Sequence, residues 1–344
     1  MGKYYDGTKL LTLTDINGGT PEIYICTSNR TAGKTTYWSR YLVNRFIKHG
    51  EKFALIYRRV GELDGDIANK FFKDIQELFF PNYIMTSKKT KEGYCVLRLN
   101  DIVCGYAISL SNPDKIKKCS HLFSDVVRMY FDEFQSEAGD YLKDEPRRLQ
   151  SVHTSIARGQ SKMVRYVPVI MVSNPVSIIN PYYVEWHISE RLRSNTKFLR
   201  GDGWVLEQGY NENASKAQQE SAFNRAYGDS AYTQYASQGT YLNDNLSFVT
   251  KLEGESFYIA TIKYRGVCYA LREYEDSGLI YCDTNPDMSY PYKISITTDD
   301  HDINYVMLKK NDTFIENMKY FFDHGCFRFK NLSCKEAVFK MLSY

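Results

Sequence analysis

No run of apolar residues in this chain approaches the length of a membrane span. The opening "MGKYYDGTKLLTLTDINGGT" lacks the charged-then-apolar build of a secretory signal. Asp6 stands where a myristoylation motif wants Ser or Thr, so the Met-Gly start is not read as a lipid site. Paired cysteines are missing as well. The 8 cysteines include no C-x-x-C spacing, and a chain of 344 residues does not need disulfide staples, so reduced thiols in an intracellular protein are predicted. The 6 histidines are equally dispersed, with no H-E-x-x-H spacing, which argues against a structural zinc site. Neither sign of charge dominates. A net charge of +3 leaves room for a polyanionic partner only as a local basic patch. Internal repeats and low-complexity tracts are absent too. What is present is 43% hydrophobic and 15% aromatic residues, enough for a soluble protein with a sizeable core, as two domains or one domain with an appendage.

The order of elements points to an α/β class. "PEIYICTS" reads as a short buried strand, and "TTYWSRYLVNRFIKHG" has helical spacing with Gly50 as a stop. "KFALIYRRV" is a second strand, and "DGDIANKFFKDIQELFF" an amphipathic helix closed by Pro81. Residues 94–110 read as a hairpin around Asn100-Asp101. "DVVRMYFDEF" is an apolar strand ending in two acids, and "RYVPVIMVSNP" a strand ending in polar residues. Strands alternating with helices imply crossovers and a mainly parallel sheet, whose functional loops lie at the strands' carboxyl ends. A domain over 1–200 is expected. Residues 201–245, small, polar and tyrosine-rich, read as a linker or small helical element. Over 246–344, alternating residues with turns near Tyr264-Arg265-Gly266 and Asp276-Ser277-Gly278, then helices around 311–324 and 333–343, predict a smaller α+β domain.

The stretch "YICTSNRTAGKTTYWSRYL" carries the most specific chemistry. A phosphate-binding loop needs backbone N–H groups aimed at an anion, a helix N-terminus behind them, a lysine for the β and γ phosphates and a hydroxyl for Mg²⁺. Lys34 and Thr35 supply the last two, and the residues that would cradle ATP are Ser28, Asn29, Arg30, Thr31, Ala32, Gly33, Lys34, Thr35 and Thr36. The first glycine of G-x-x-x-x-G-K-[ST] falls on Ser28, a small residue that still permits a turn. A chance Gly-Lys-Thr at a helix start is the competing reading, and the strand–loop–helix context outweighs it. Nucleotide hydrolysis also needs an apolar strand ending in an acid for Mg²⁺ and a residue that orients water. "VVRMYFDEF" provides Asp132 for the metal and Glu133 for the water, against the plain reading of two solvated acids. Arg30 can reach a γ-phosphate or a neighbouring acid, and on its own it reads equally as a solvated arginine on a loop. Asn174, after the "PVIMV" strand, can sense the γ-phosphate through its amide, although Ser-Asn is also ordinary turn chemistry.

Arg30 within the loop, "FDEF" and "SNPVSIINPYY" together resemble the genome-packaging ATPases of tailed bacteriophages, above all the encapsidation ATPase of the small podophages whose motor uses a packaging RNA. The likeness runs through the whole chain and takes in "NRFIKHGE", "YRRVGEL", "TTDD" and "GCFRF". Members of that family usually have glycine where this chain has Ser28 and Thr31.

The resemblance implies a RecA/ASCE-like P-loop ATPase domain and a C-terminal domain similar to an RNase H-like nuclease. It implies ATP-driven translocation of double-stranded DNA into a preformed capsid, with ATP and Mg²⁺ bound at the subunit interfaces of a ring, a pentamer in that family. It further implies contacts with the portal vertex and a packaging RNA, and action in the cytoplasm of an infected bacterium with transient attachment to the prohead. Such a ring uses an arginine in trans, and Arg158 in "HTSIARGQSKMVR" aligns with the family's finger. On chemistry alone Arg158, Lys162 and Arg165 compete. DNA tracking needs cations against phosphates without base reading. The candidates are Lys115, Lys117 and Lys118 before the acidic strand, and Lys143, Arg147 and Arg148 after it. Each cluster also reads as a solvated face. "SKKTKEG" at 87–93 is read as surface. A two-metal nuclease needs an acid on its first strand. "FYIATIKYRG" has none, and Asp299, Asp300 and Asp302 cluster on one loop, so a non-cleaving domain is expected. Competing readings are a P-loop kinase of a small molecule, a packaging enzyme with an active nuclease, and a non-catalytic nucleotide-dependent module.

Overall fold

The computed structural model describes the chain apart from residues 1–3, 160–162, 193–195, 229, 239–240, 242–243, 245, 308–311 and 344. It divides into two units, Met1–Ile188 with Leu192–Asn243, and Asp244–Tyr344 with Ser189–Arg191.

The first unit is organised by its apolar strands. These are β1 (Ile23–Thr27), β2 (Lys52–Tyr57), β3 (Met85–Lys89), β4 (Cys95–Leu99), β5 (Ile102–Ser109), β6 (Val126–Asp132), β7 (Val169–Ser173), β8 (Phe198–Gly201) and β9 (Trp204–Gln208). They form one sheet in the order β3-β4-β5-β2-β6-β7-β1-β9-β8. Neighbours from β5 through β9 run parallel, and antiparallel pairs β3–β4–β5 and β8–β9 close the edges. The sheet is therefore α/β and mostly parallel, as the alternation of elements predicts.

Because side chains alternate along a strand, each strand feeds two cores. Tyr24 and Cys26 of β1 pack on one face with Trp38 and Leu42 of the helix Lys34–His49 and Phe72 of the helix Ile67–Phe79. Ile25 faces the other way, into a core with Ile56, Phe131 and Val152, the last on the helix Glu145–Ile156. Burying one such aromatic or aliphatic side chain is worth about 1.5–3 kcal/mol. That burial, more than helix propensity, holds the crossover helices to the sheet.

Two stretches differ from the sequence reading. Residues 87–89, read as surface, complete β3: the edge strand is exposed on one side, so its lysines hide the strand signal. Residues 201–245, read as a linker, contain β9, whose Trp204, Val205 and Leu206 are buried beside β1. The helices Glu212–Glu220, Ala222–Tyr227 and Ala231–Gln238 follow in the same unit.

The second unit holds β10 (Phe257–Tyr264), β11 (Val267–Tyr274), β12 (Leu279–Asp283), β13 (Lys293–Ser295), β14 (Val306–Met307) and β15 (Phe327–Phe329) in the order β14-β13-β10-β11-β12-β15. The meander β10–β11–β12 is antiparallel, while β13 runs parallel to β10 and β14 parallel to β13. That is the strand order and sense of an RNase H-like sheet, with β15 added beside β12. The β10–β11 turn has Arg265 at φ 51° and Gly266 at φ 76°, the two left-handed positions of a type I′ hairpin. Asp300 accepts from the backbone N–H of both, at 2.8 and 2.7 Å. The helices Thr313–Asp323 and Leu332–Leu342 are N-capped by Asp312 and Asn331 and lay Ile315 and Val338 onto the core of Ile262 and Leu271.

Candidate nucleotide site

The strands β6, β7 and β1 are neighbours, and register pairs Thr27 with Ser173 and Asp132 with Val172. Their carboxyl ends therefore bring the loop after Thr27, the Asp132-Glu133 turn and Ser173-Asn174 to one edge of the sheet.

Ser28 is not in the left-handed region, so the turn after β1 does not require a glycine there. Its hydroxyl instead accepts from Lys34 Nζ at 2.9 Å. Thr31 does adopt φ 61° and Gly33 φ 92° at the helix N-cap. A glycine at position 31 would relieve local strain, whereas one at position 28 would only remove a hydroxyl. The backbone N–H groups of Thr31, Ala32 and Gly33 have no hydrogen-bond partner among the described residues. The helix behind them leaves its own first N–H groups open as well.

Lys34 is buried, and its amine donates to the Ser28 and Asn29 carbonyls at 2.9 and 3.2 Å and to Asn174 Oδ1 at 3.1 Å. Burial pulls its pKa down to about 8. Asp132 shows the converse: burial, reinforced by the nearby Glu133 charge and opposed by the Thr35 hydroxyl, lifts its carboxyl to about 6. A cation short of an anion thus sits beside an anion short of a cation. A phosphate chain with Mg²⁺ supplies both, so the donor set fits MgATP. Glu133 is exposed, at φ 53°, with its N–H on Asp132 Oδ1 at 3.0 Å.

Arg30 meets a neighbouring acid: its guanidinium pairs with Glu137 and lies 5.4 and 5.6 Å from the Tyr232 and Tyr235 rings. The Tyr235 hydroxyl donates to the same Glu137 oxygen at 2.7 Å. Asn29, fully buried, donates to the carbonyls of Asn211 and Ser237 at 3.0 and 3.2 Å and accepts from Asn211 N–H at 2.9 Å. The segment read as a linker therefore clamps the loop. It also walls the cleft of about 890 Å³ lined by Arg30 to Thr36, Asp132, Glu133 and Asn174, adding Phe223 and Tyr232. That size suits a nucleotide. The signal available in the sequence was Asn211, a helix N-cap residue whose side chain accepts from Ala214 N–H.

The cationic candidates separate. Arg165 is buried and donates to the carbonyls of Val126, Ile156 and Arg158 at 2.9, 2.6 and 3.3 Å, which makes it a structural strut and not a finger. Lys162 lies outside the described residues. Arg158 is exposed just beyond the helix Glu145–Ile156, and its guanidinium has no partner among the described residues. Lys115, Lys117 and Lys118 are exposed on the short helix Pro113–Lys118, whose Ile116 enters the same core as Leu149 of the helix Glu145–Ile156. Lys143 and Arg147, at the start of that longer helix, are exposed too. Arg148 differs: it donates to the Lys143 and Ser111 carbonyls at 2.8 and 2.9 Å, so its charge ties a loop to the helix.

A family model described as podovirus DNA encapsidation protein (Gp16) matches residues 2–343. The chain is 26% identical over 316 residues to the DNA packaging protein of Bacillus phage phi29, across 91% of this chain and 90% of that protein. The DNA packaging protein of Bacillus phage B103 matches at 26% over 316 residues, 91% of this chain and 94% of that protein. Among solved structures, a chain of the bacteriophage Phi-29 viral genome packaging motor assembly shares the fold, with a TM-score of 0.71 and 24% identity over 99% of this chain and 100% of that one.

Proposed function

Because this chain belongs to the podovirus DNA encapsidation protein family, we infer that it is an ATP-driven double-stranded DNA translocase that packages a viral genome. The observation that carries the reading is one cleft in which Lys34 and Thr35 of the phosphate loop face the Asp132-Glu133 strand end. In this proposal the loop N–H groups and Lys34 hold the phosphates of ATP, and Thr35 and Asp132 hold Mg²⁺. When bound, Mg²⁺ neutralises charge on the transferring phosphoryl group. Glu133 orients and deprotonates the attacking water, Asn174 senses the phosphate by donating its side-chain N–H while its Oδ1 accepts from Lys34, and Arg30 exchanges Glu137 for phosphate.

Subunits assemble as a ring on the portal vertex with a packaging RNA, and Arg158 of each reaches its neighbour's site. Exposed Lys115, Lys117, Lys118, Lys143 and Arg147 meet DNA phosphates. The test is ATP turnover with and without duplex DNA over a salt series. DNA is expected to stimulate turnover, with the stimulation falling as salt rises because phosphate contacts release counterions. Lys34→Ala is expected to abolish turnover and weaken nucleotide binding. Turnover indifferent to DNA but raised by a small phosphate acceptor would instead make the protein a kinase.

The second unit, in this proposal, grips and does not cut. Its first strand, β10, offers no acid, and three nearby carboxylates are engaged, Asp300 on the hairpin N–H groups, Asp302 on Lys263 at 3.2 Å and Asp283 on Arg272 at 2.8 Å, which leaves Asp299 exposed with no acid on β10 to share a metal. Supercoiled DNA incubated with the full chain and Mn²⁺ is expected to stay intact. Nicking that disappears in Asp299→Ala would overturn this.

A further inference from the structure

A buried ion pair lies beside the turn that carries Glu133. Arg58, just past the end of β2, directs Nε at both oxygens of Glu145, 3.1 and 2.9 Å away. Its Nη2 donates to the Phe134 carbonyl at 2.7 Å. Glu145 is completely buried and also accepts from Leu142 N–H at 2.8 Å and the Tyr182 hydroxyl at 3.0 Å, so both oxygens are satisfied. The Arg58 guanidinium lies 5.6 and 5.1 Å from the Phe131 and Tyr141 rings.

Two features make this more than a stabilising contact. Burying a carboxylate and a guanidinium costs roughly what their attraction returns, so an apolar pair of equal volume would fasten the helix Glu145–Ile156 as well. Such a pair cannot donate to the Phe134 carbonyl. That carbonyl follows directly on Glu133, whose φ of 53° is one that a side-chain-bearing residue keeps only when its surroundings enforce it. The other restraints on the turn are the Asp132 carboxylate on Glu133 N–H, a 3.3 Å bond from Phe134 N–H to the Val172 carbonyl, and Gln135 Oε1 accepting from Val176 and Ser177 N–H at 3.0 and 2.9 Å. Arg58 alone among these brings a charged donor, and its counter-ion opens a helix that ends one residue before Ala157-Arg158. At 1.5 Å per residue that helix is a rod of about 18 Å.

We propose that the Arg58–Glu145 pair is a positioning device for hydrolysis: Arg58 sets the Glu133 turn, and Glu145 fixes to that turn the helix that presents Arg158. The inference rests on Glu133 as the water-orienting residue.

The test compares two variants of the full chain with the native protein and with Glu133→Gln, measuring MgATP affinity, kcat, KM and Tm. Arg58→Lys keeps a cation for Glu145 but lacks the planar fork that serves carboxylate and carbonyl together. Its Tm and KM are expected to stay near native while kcat falls, up to about 100-fold, as a small misplacement of a catalytic group does. Arg58→Met/Glu145→Leu removes both charges, so no lone buried charge remains. It is expected to lose some Tm, because the Leu142 N–H, the Tyr182 hydroxyl and the Phe134 carbonyl lose their partners, yet to keep near-native nucleotide affinity with kcat still low. Native kcat in either stable variant overturns the proposal, as does a kcat loss matched by loss of nucleotide binding. Native turnover in Glu133→Gln would instead remove the reading on which it rests.

Discussion

Glu133→Gln should bind MgATP as the native chain does and hydrolyse it about 10²–10⁴-fold more slowly, the range that a positioned general base contributes. The amide matches the carboxylate in size, and the side chain is exposed, so no packing is lost. The backbone contact that shapes the turn, Glu133 N–H to Asp132 Oδ1, does not involve the side chain and persists. Basicity alone is removed. Asp132→Asn separates cleanly from this variant. Its side chain sits where burial already disfavours the charge, and losing that charge should shift the Mg²⁺ dependence of turnover to higher concentration. Equilibrium nucleotide titration and single-turnover phosphate release measure the two steps independently. A Glu133→Gln chain that turns over at the native rate would assign the water to another group.

These residues are legible in the sequence to the degree that their signal is local. β1, its loop and the helix Lys34–His49 are contiguous, and the Gly33-Lys34-Thr35 run marks the helix start as plainly as Gly50, at φ 68°, marks its end. The hairpin at Asn100-Asp101 was legible for a similar reason: those residues tolerate the φ values of 46° and 64° that they adopt. Asn29 is different. Its role as the buried clamp on Asn211 and Ser237 depends on a contact across 182 and 208 positions of chain, which no periodicity encodes. The clamp helices are built from small polar residues whose faces look solvated until Ala236 and Tyr235 are seen buried. Arg58 and Arg165 were hidden by chemistry and not by distance. A basic residue in sequence reads as surface, and only the buried carboxylate or carbonyls opposite reveal it as internal. Ser28 could be doubted only because a glycine consensus does not say which of its two positions needs the left-handed backbone. Here Thr31 occupies that conformation and Ser28 does not.

Arg158→Ala should bind ATP normally and lose turnover on the scale of a missing arginine finger, roughly 10³- to 10⁵-fold. In the proposed site binding uses the subunit's own phosphate loop, and the Arg158 guanidinium makes no hydrogen bond, ion pair or ring contact among the described residues. The same exposure means that its removal leaves no buried group unpaired, so Tm should not move. Arg165 provides the contrast. It holds three backbone carbonyls, and Arg165→Ala should lower Tm whatever it does to activity. The trans role is decided by mixing. On the proposed roles, a Glu133→Gln subunit cannot activate its own water but offers an intact Arg158, whereas an Arg158→Ala subunit retains Glu133 and lacks the finger. Interfaces that join the good half of each regain hydrolysis, so mixed assemblies should exceed the sum of the two variants alone. A cis-acting arginine allows no such gain, because every subunit then carries one broken site. Co-assembly confirmed by light scattering, with no activity above that sum, would end the finger assignment for Arg158.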